Sequence, residues 1–182
     1  MVSRRHVAAS LALVLTLGNA SANTAPQEVD ADLPNSRLAA NTRFTVFGFN
    51  VYDASLWVRS GFTTGDYERH PFALSLTYLR DFAGEAIADR SVSEMRRQPG
   101  VTETQLETWK SRMRSVFPDV RKGDRLTGIH RSGEGARFHL NGQAAGTIPD
   151  ADFSRRFFGI WLSAHTSDSR LRDAVAAQAA TR

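Results

Sequence analysis

The chain has no cysteine among its 182 residues. That excludes disulfide staples, a thiol nucleophile, thiolate-ligated zinc and a lipid-modified cysteine at an export site. Long hydrophobic runs are also missing. The longest, residues 7–17 (VAASLALVLTL), is shorter than the roughly 20 residues that span a bilayer, so no permanent membrane anchor is expected. Strong charge of one sign is absent as well. The formal charge of +4 falls to +2 once Arg4 and Arg5 are set aside, which gives no polybasic surface for nucleic acid. Arginine outnumbers lysine 21 to 2, a bias that reads as GC-rich codon usage rather than phosphate recognition. There is no Gly-x-Ser-x-Gly elbow, no His-Glu-x-x-His, no phosphate-binding glycine loop, no internal repeat and no low-complexity segment.

The first residues form an export signal. Arg4, Arg5 and His6 precede the apolar run, and Ala20-Ser21-Ala22 supplies the small residues of a cleavage site, with the cut expected after Ala22. Residues 1–22 are thus read as a signal peptide and 23–36 as a flexible polar leader. Residues 37–182 are read as a single domain that depends on its apolar core.

Strand signals fill 37–59, as two strands or one bent strand, with Gly48 a candidate bulge. The run RFTVFGFNVYDASLWV (43–58) is apolar on both alternating faces, yet Asn50, Tyr52 and Asp53 interrupt it. Residues 72–79 alternate as a strand. A helix is expected over 82–98, stopped by Pro99-Gly100, with Ala83, Ile87 and Met95 on its inner stripe. A second helix starts at Thr102, where Thr-Glu-Thr-Gln has the form of a capping box, and buries Leu106, Trp109 and Met113. Strands at 124–131 and 136–141 flank the turn 132–135, and Asn141-Gly142 turns into a strand at 143–148. Asp150 caps a further helix, and Thr166 or Ser167 the last. Strands, two helices, strands, two helices: the pattern is α+β, an antiparallel sheet with helices on one side.

Symmetric pairing about 132–135 places His130 opposite Arg137 and diagonal to His139, all on one polar face. A diagonal histidine pair has metal-binding character, but a third ligand is missing and the neighbouring guanidinium repels a cation. No metal and no cofactor are expected.

The stretches NVYDASLWV (50–58), LTYLRDFAGEAIADRS (76–91), FPDVRKGDRLTGIH (117–130), FHLNGQAAGTIPDADF (138–153) and FFGIWLS (157–163), in this order, resemble the bacterial chalcone isomerase-like family. The resemblance covers residues 37–175 and implies an open-faced β-sandwich: a large antiparallel sheet under a layer of helices. It also implies a cleft between sheet and helices, in which the plant enzymes close a flavanone ring and other members bind fatty acids. The plant residue set is an arginine and a threonine near the first strands, then tyrosine, lysine and asparagine on the first long helix, then a later hydroxyl. Here Arg37, or Arg43 in its place, meets the arginine, and Phe47 stands at the threonine. Ala86 or Ile87 stands at the tyrosine, Asp89 or Arg90 at the lysine, and Ser93 or Glu94 at the asparagine. Ser154 fits the later hydroxyl.

Ring closure needs groups that stabilise developing enolate charge, and alanine or isoleucine supplies none. The leading expectation is therefore a non-catalytic, exported, periplasmic binding protein. Its ligand would be an apolar, fatty-acid-like carboxylate held by Arg37 or Arg43, Phe47, Tyr52 and Ser154. The alternatives are a cell-envelope interaction module without a small ligand, or an isomerase or lyase built on His130, His139 and Arg137.

Overall fold

A computed structural model describes residues 24–180. The expected signal peptide, residues 1–22, lies outside them. Six strands form one antiparallel meander in the order β1 to β6: Arg37–Val46, Phe49–Val58, Phe72–Tyr78, Arg125–Arg131, Gly135–Leu140 and Gln143–Ile148. Five α-helices accompany them: α1 Gln27–Asp32, α2 Gly84–Met95, α3 Glu103–Val116, α4 Ala151–Leu162 and α5 Arg170–Ala180. The architecture is the expected α+β open sheet with helices packed on it.

The alternation of each strand decides what it buries. Leu56, Phe72, Leu74 and Phe138 project under the helices, where Phe153, Phe157 and Phe158 of α4 complete an aromatic core. A glycine at 128 eases the close approach of α4, because a Cβ there would stand 3.1 Å from the Phe158 ring and 3.2 Å from that of Phe138, and the rings would have to give by a few tenths of an ångström. The other face of the sheet carries a smaller cluster of Val29, Leu33, Trp57, Ala73 and Ile129.

That second face corrects the reading of residues 23–36 as a loose leader. Within them α1 seats Val29 and Leu33 against the sheet, with 0% and 1% of their surface exposed. Glu28 is buried too. It accepts two hydrogen bonds from Arg125, at 3.1 and 3.2 Å, and one from the Thr127 hydroxyl at 2.8 Å. A polar-looking segment is fixed because its few apolar residues share one helical side and its acid meets a cation on β4.

Several local expectations hold. Thr102 and Gln105 form the capping box of α3, and Asp150 caps α4. Others shift. Gly48 is not a bulge; with Phe47 it makes the two-residue turn of the β1–β2 hairpin, both residues at positive φ. The inner stripe of α2 is Ala88, Val92 and Met95, while Ala83 lies before the helix and is exposed. Helix α5 begins at Arg170, because Thr166 is engaged in a turn: its hydroxyl donates to Ile160 O and accepts from the Asp168 N–H.

The β4–β5 register also differs. Gly135, at positive φ, pairs with Arg131, so the loop is one residue shorter than a symmetric 132–135 turn. A slip of one residue moves a side chain to the opposite face. His130 therefore pairs with Ala136 and points beneath the helices, and Ile129 points to the α1 face. Arg137 and His139 lie on that α1 face, 3.1 and 3.9 Å from the Asp32 carboxylate of α1.

Candidate functional site

A cavity of about 480 Å³ opens where the β1–β2 hairpin meets α2 and α4. Its floor is Phe44, Tyr52, Leu76 and Tyr78 of the sheet; its roof is Ala86 and Ile87 of α2 with Phe157, Ile160 and Trp161 of α4. The size and the apolar, aromatic walls are those of a small-molecule site. Packing shapes the interior. Tyr52 stacks on Phe44 at 5.0 Å and meets Tyr78 edge-on at 6.0 Å. Trp161 Nε1 donates to Tyr52 Oη at 3.0 Å, which joins roof to floor. Burial raises the pKa of both Tyr52 and Tyr78 well above 10.0, so both phenols stay neutral and no tyrosinate base is present near neutral pH.

Charged groups border the cavity, one of them buried. Glu94 of α2 is 8% exposed and accepts from Arg90 Nη2 at 2.5 Å, one helical turn away. Asp168 is held by both nitrogens of Arg170, at 2.7 and 2.6 Å, which keeps its carboxyl below the usual range despite the opposing effect of burial. Arg80, just past β3, differs. Its guanidinium lies 5.0 Å from the Phe49 ring centre, and among the described residues no carboxylate forms an ion pair with it. Serine 91 contributes no free donor, since its hydroxyl is returned to Ile87 O.

The expected site residues separate. Tyr52 lines the cavity, and Phe47 lines its mouth. Arg37 does not line it: it pairs with Val58 at the far end of β1. Arg43 does not either, because one residue of strand alternation from Phe44 turns it to the opposite face, where it binds Asp53 at 2.7 and 2.9 Å. Ser154 is fully buried in the core, 2.7 Å from His130 Nδ1. His130 Nε2 donates to the Glu68 carbonyl at 3.0 Å, so Nδ1 is the acceptor and Ser154 the donor. This sealed pair is structural, and His130 lies on the other side of the sheet from His139 and Arg137, which dissolves the catalytic trio read from the sequence.

Of the paired options on α2, Arg90 and Glu94 face the cavity, and Asp89 and Ser93 are not among its lining. Both Ala86 and Ile87 line it. Arg80 and Asp168 were not singled out by sequence reasoning, and Arg90 and Glu94 were named only as alternatives standing where the plant enzymes carry lysine and asparagine. The spacing of Arg90 and Glu94 from Ile87, three and seven residues on, was the available signal that they share its face. Among the described residues no cluster of three His, Asp or Glu side chains is placed to hold a metal ion.

The sequence pattern of the family described as chalcone isomerase-like matches residues 31–175, most of the chain. The chain belongs to the chalcone isomerase-like family. An uncharacterized protein of Haemophilus influenzae is 29% identical over 132 residues, which is 72% of this chain and 63% of that protein, so the chain spans less than two thirds of this relative. The crystal structure of a fatty-acid binding protein from Arabidopsis thaliana superposes with a TM-score of 0.59 at 10% identity, over 81% of this chain and 89% of that one. Identity that low shows a shared chalcone isomerase-like fold. In this member of the family, the cleft between sheet and helices is the cavity described above.

Proposed function

We propose that this chalcone isomerase-like protein binds an apolar carboxylate of the fatty-acid class without transforming it. The observation that carries the reading is the pairing of an aromatic cavity with Arg80, a rim cation that no carboxylate of the described residues neutralises. The hydrocarbon chain would lie against Phe44, Tyr52, Phe157 and Trp161, and the carboxylate would take the charge-assisted hydrogen bonds of the Arg80 guanidinium. In this reading the head-group contact is Arg80 rather than Arg37 or Arg43. The known ligand class of the Arabidopsis neighbour supports the reading. So does the cavity chemistry: alanine and isoleucine stand where the plant enzymes carry tyrosine, and Arg90 is tied to Glu94.

The residue 1–22 pattern supports export, and the proposal takes the exported chain to reside in the periplasm. Native mass spectrometry of protein purified without detergent tests the binding, with displacement of a fluorescent fatty acid as the solution readout. Arg80→Gln should weaken affinity about tenfold, the size of a lost charge-assisted hydrogen bond. Absence of both bound lipid mass and displacement would sink the binder. Chalcone consumption above the buffer rate would overturn the non-catalytic reading.

A further inference from the structure

The β1–β2 hairpin presents a phenylalanine where folding gives it no reason to be. Phe47 is 96% exposed and Phe49 61%, the exposed large hydrophobic residues of the described chain. Phe47 also sits at φ +48. The left-handed region disfavours a bulky L-residue, and two-residue turns with both central residues at positive φ favour Asn-Gly. The same chain uses that pair at its other two-residue hairpin, where Asn141 and Gly142 join β5 to β6. At 47–48 it uses Phe-Gly. Phe47 therefore gains neither burial nor backbone preference, and its ring faces water.

The position of the hairpin gives the ring a use. Phe47, Phe49 and Arg80 line the mouth of the cavity, and Arg80 lies on the Phe49 ring. The neighbouring arginines are paired. Arg170, near the Phe44 ring, is paired with Asp168. Arg43 is paired with Asp53. Asp81 accepts the Lys122 backbone N–H at 2.8 Å.

We infer that the 46–49 hairpin tip is a membrane-docking element: Phe47 and Phe49 enter the lipid interface while Arg80 meets headgroup phosphates. Charge complementarity selects this occupant, because an aromatic tip beside an arginine free of carboxylate partners matches an interface with apolar chains below and phosphates above. The inference builds on the fatty-acid reading of the same cavity. A fatty acid in a bilayer holds its carboxylate at the depth of the phosphates, so Arg80 would meet the ligand head at the surface with the cavity mouth resting on the membrane.

The absence of cysteine allows a clean test in the full chain. Phe47→Cys and, at the opposite end of the sheet, Ser132→Cys each accept one environment-sensitive fluorophore. They are titrated with phosphatidylcholine vesicles and with equimolar phosphatidylcholine–phosphatidylglycerol vesicles. The expected result is a blue shift at 47 and none at 132, stronger with the anionic vesicles. Arg80→Gln should remove that preference, about fivefold for one cation at a charged surface. Unlabelled Phe47→Asn should lower vesicle co-sedimentation about fivefold while its melting temperature holds or rises.

No shift at 47, as for a tip that meets a protein partner or only solvent, overturns the inference, and so do equal shifts at both positions. Equal response to the two vesicle types overturns the role of Arg80. Fatty-acid displacement in vesicle-free buffer is measured alongside. A chain that binds fatty acid yet keeps residue 47 in water loses the docking element alone, and one that docks without displacing fatty acid loses the ligand reading alone.

Discussion

Trp161 Nε1 donates to Tyr52 Oη at 3.0 Å, and this bond spans the cavity from α4 to β2. It sets the separation of roof and floor. Both partners present aromatic faces to the same space, and their polar ends satisfy each other.

Tyr52→Phe should therefore cost about 1 kcal/mol of stability, because the buried indole N–H loses its acceptor. Urea unfolding measures it. On the proposed function, the same variant should also bind fatty acid more weakly, because the bond sets the separation of roof and floor.

The tyrosines should resist ionisation. Burial raises Tyr52 and Tyr78 well above 10.0 and pushes Tyr67 up to about 12. The unfolded chain ionises near 10.0, so stability is whole below that pH and is lost as pH rises toward the folded-state values. Absorbance titration should show no phenolate step near pH 10 in the folded protein, and unfolding should accompany the step when it comes.

Acid should act through His130. Its burial between Phe72 and Phe158 holds its pKa below 6.5. Below pH 6.5 the unfolded chain takes up a proton that the folded chain refuses, so stability declines on acidification until the folded-state pKa is reached. Denaturant midpoints compared above and below pH 6.5 should show the decline. His130→Phe should flatten it, at the cost of leaving the buried Ser154 hydroxyl without its acceptor.

Helix α1 should behave as part of the domain. Leu33→Ala removes a side chain that is 1% exposed and should cost about 2–5 kcal/mol. A melting temperature indifferent to this change would restore the loose-leader reading of residues 23–36.

Much of the fold was legible in local pattern. Alternation at 72–79 marked β3, the Thr102 capping box marked α3, and Asn141-Gly142 marked a hairpin, because each is decided by neighbours a few residues away. The β4–β5 register was not. Whether Gly135 pairs with Arg131 or stays in the loop depends on its positive φ and on which face must bury Phe138, and that one-residue choice moved His130 away from Arg137 and His139. For the site, Tyr52 and Phe47 were named through the family resemblance, as were Arg90 and Glu94 among the alternatives on α2, whereas Arg80 was not singled out because its place on the Phe49 ring is a tertiary contact.

By itself, then, the sequence determined the α+β class, the absence of thiol chemistry and the aromatic content of the first hairpin, since these follow from composition and short-range order, and its ordered motifs carried the resemblance to the family. Tertiary structure alone decided which cation belongs to the cavity. Arg37, Arg43, Arg80 and Arg90 are equivalent as letters. Strand alternation turns Arg43 to Asp53, the length of β1 carries Arg37 to its far end, and Glu94 claims Arg90. Arg80 is left at the mouth beside Phe49. A guanidinium is available for recognition only where no nearby carboxylate has already taken it, and which carboxylates are near is a property of the folded chain.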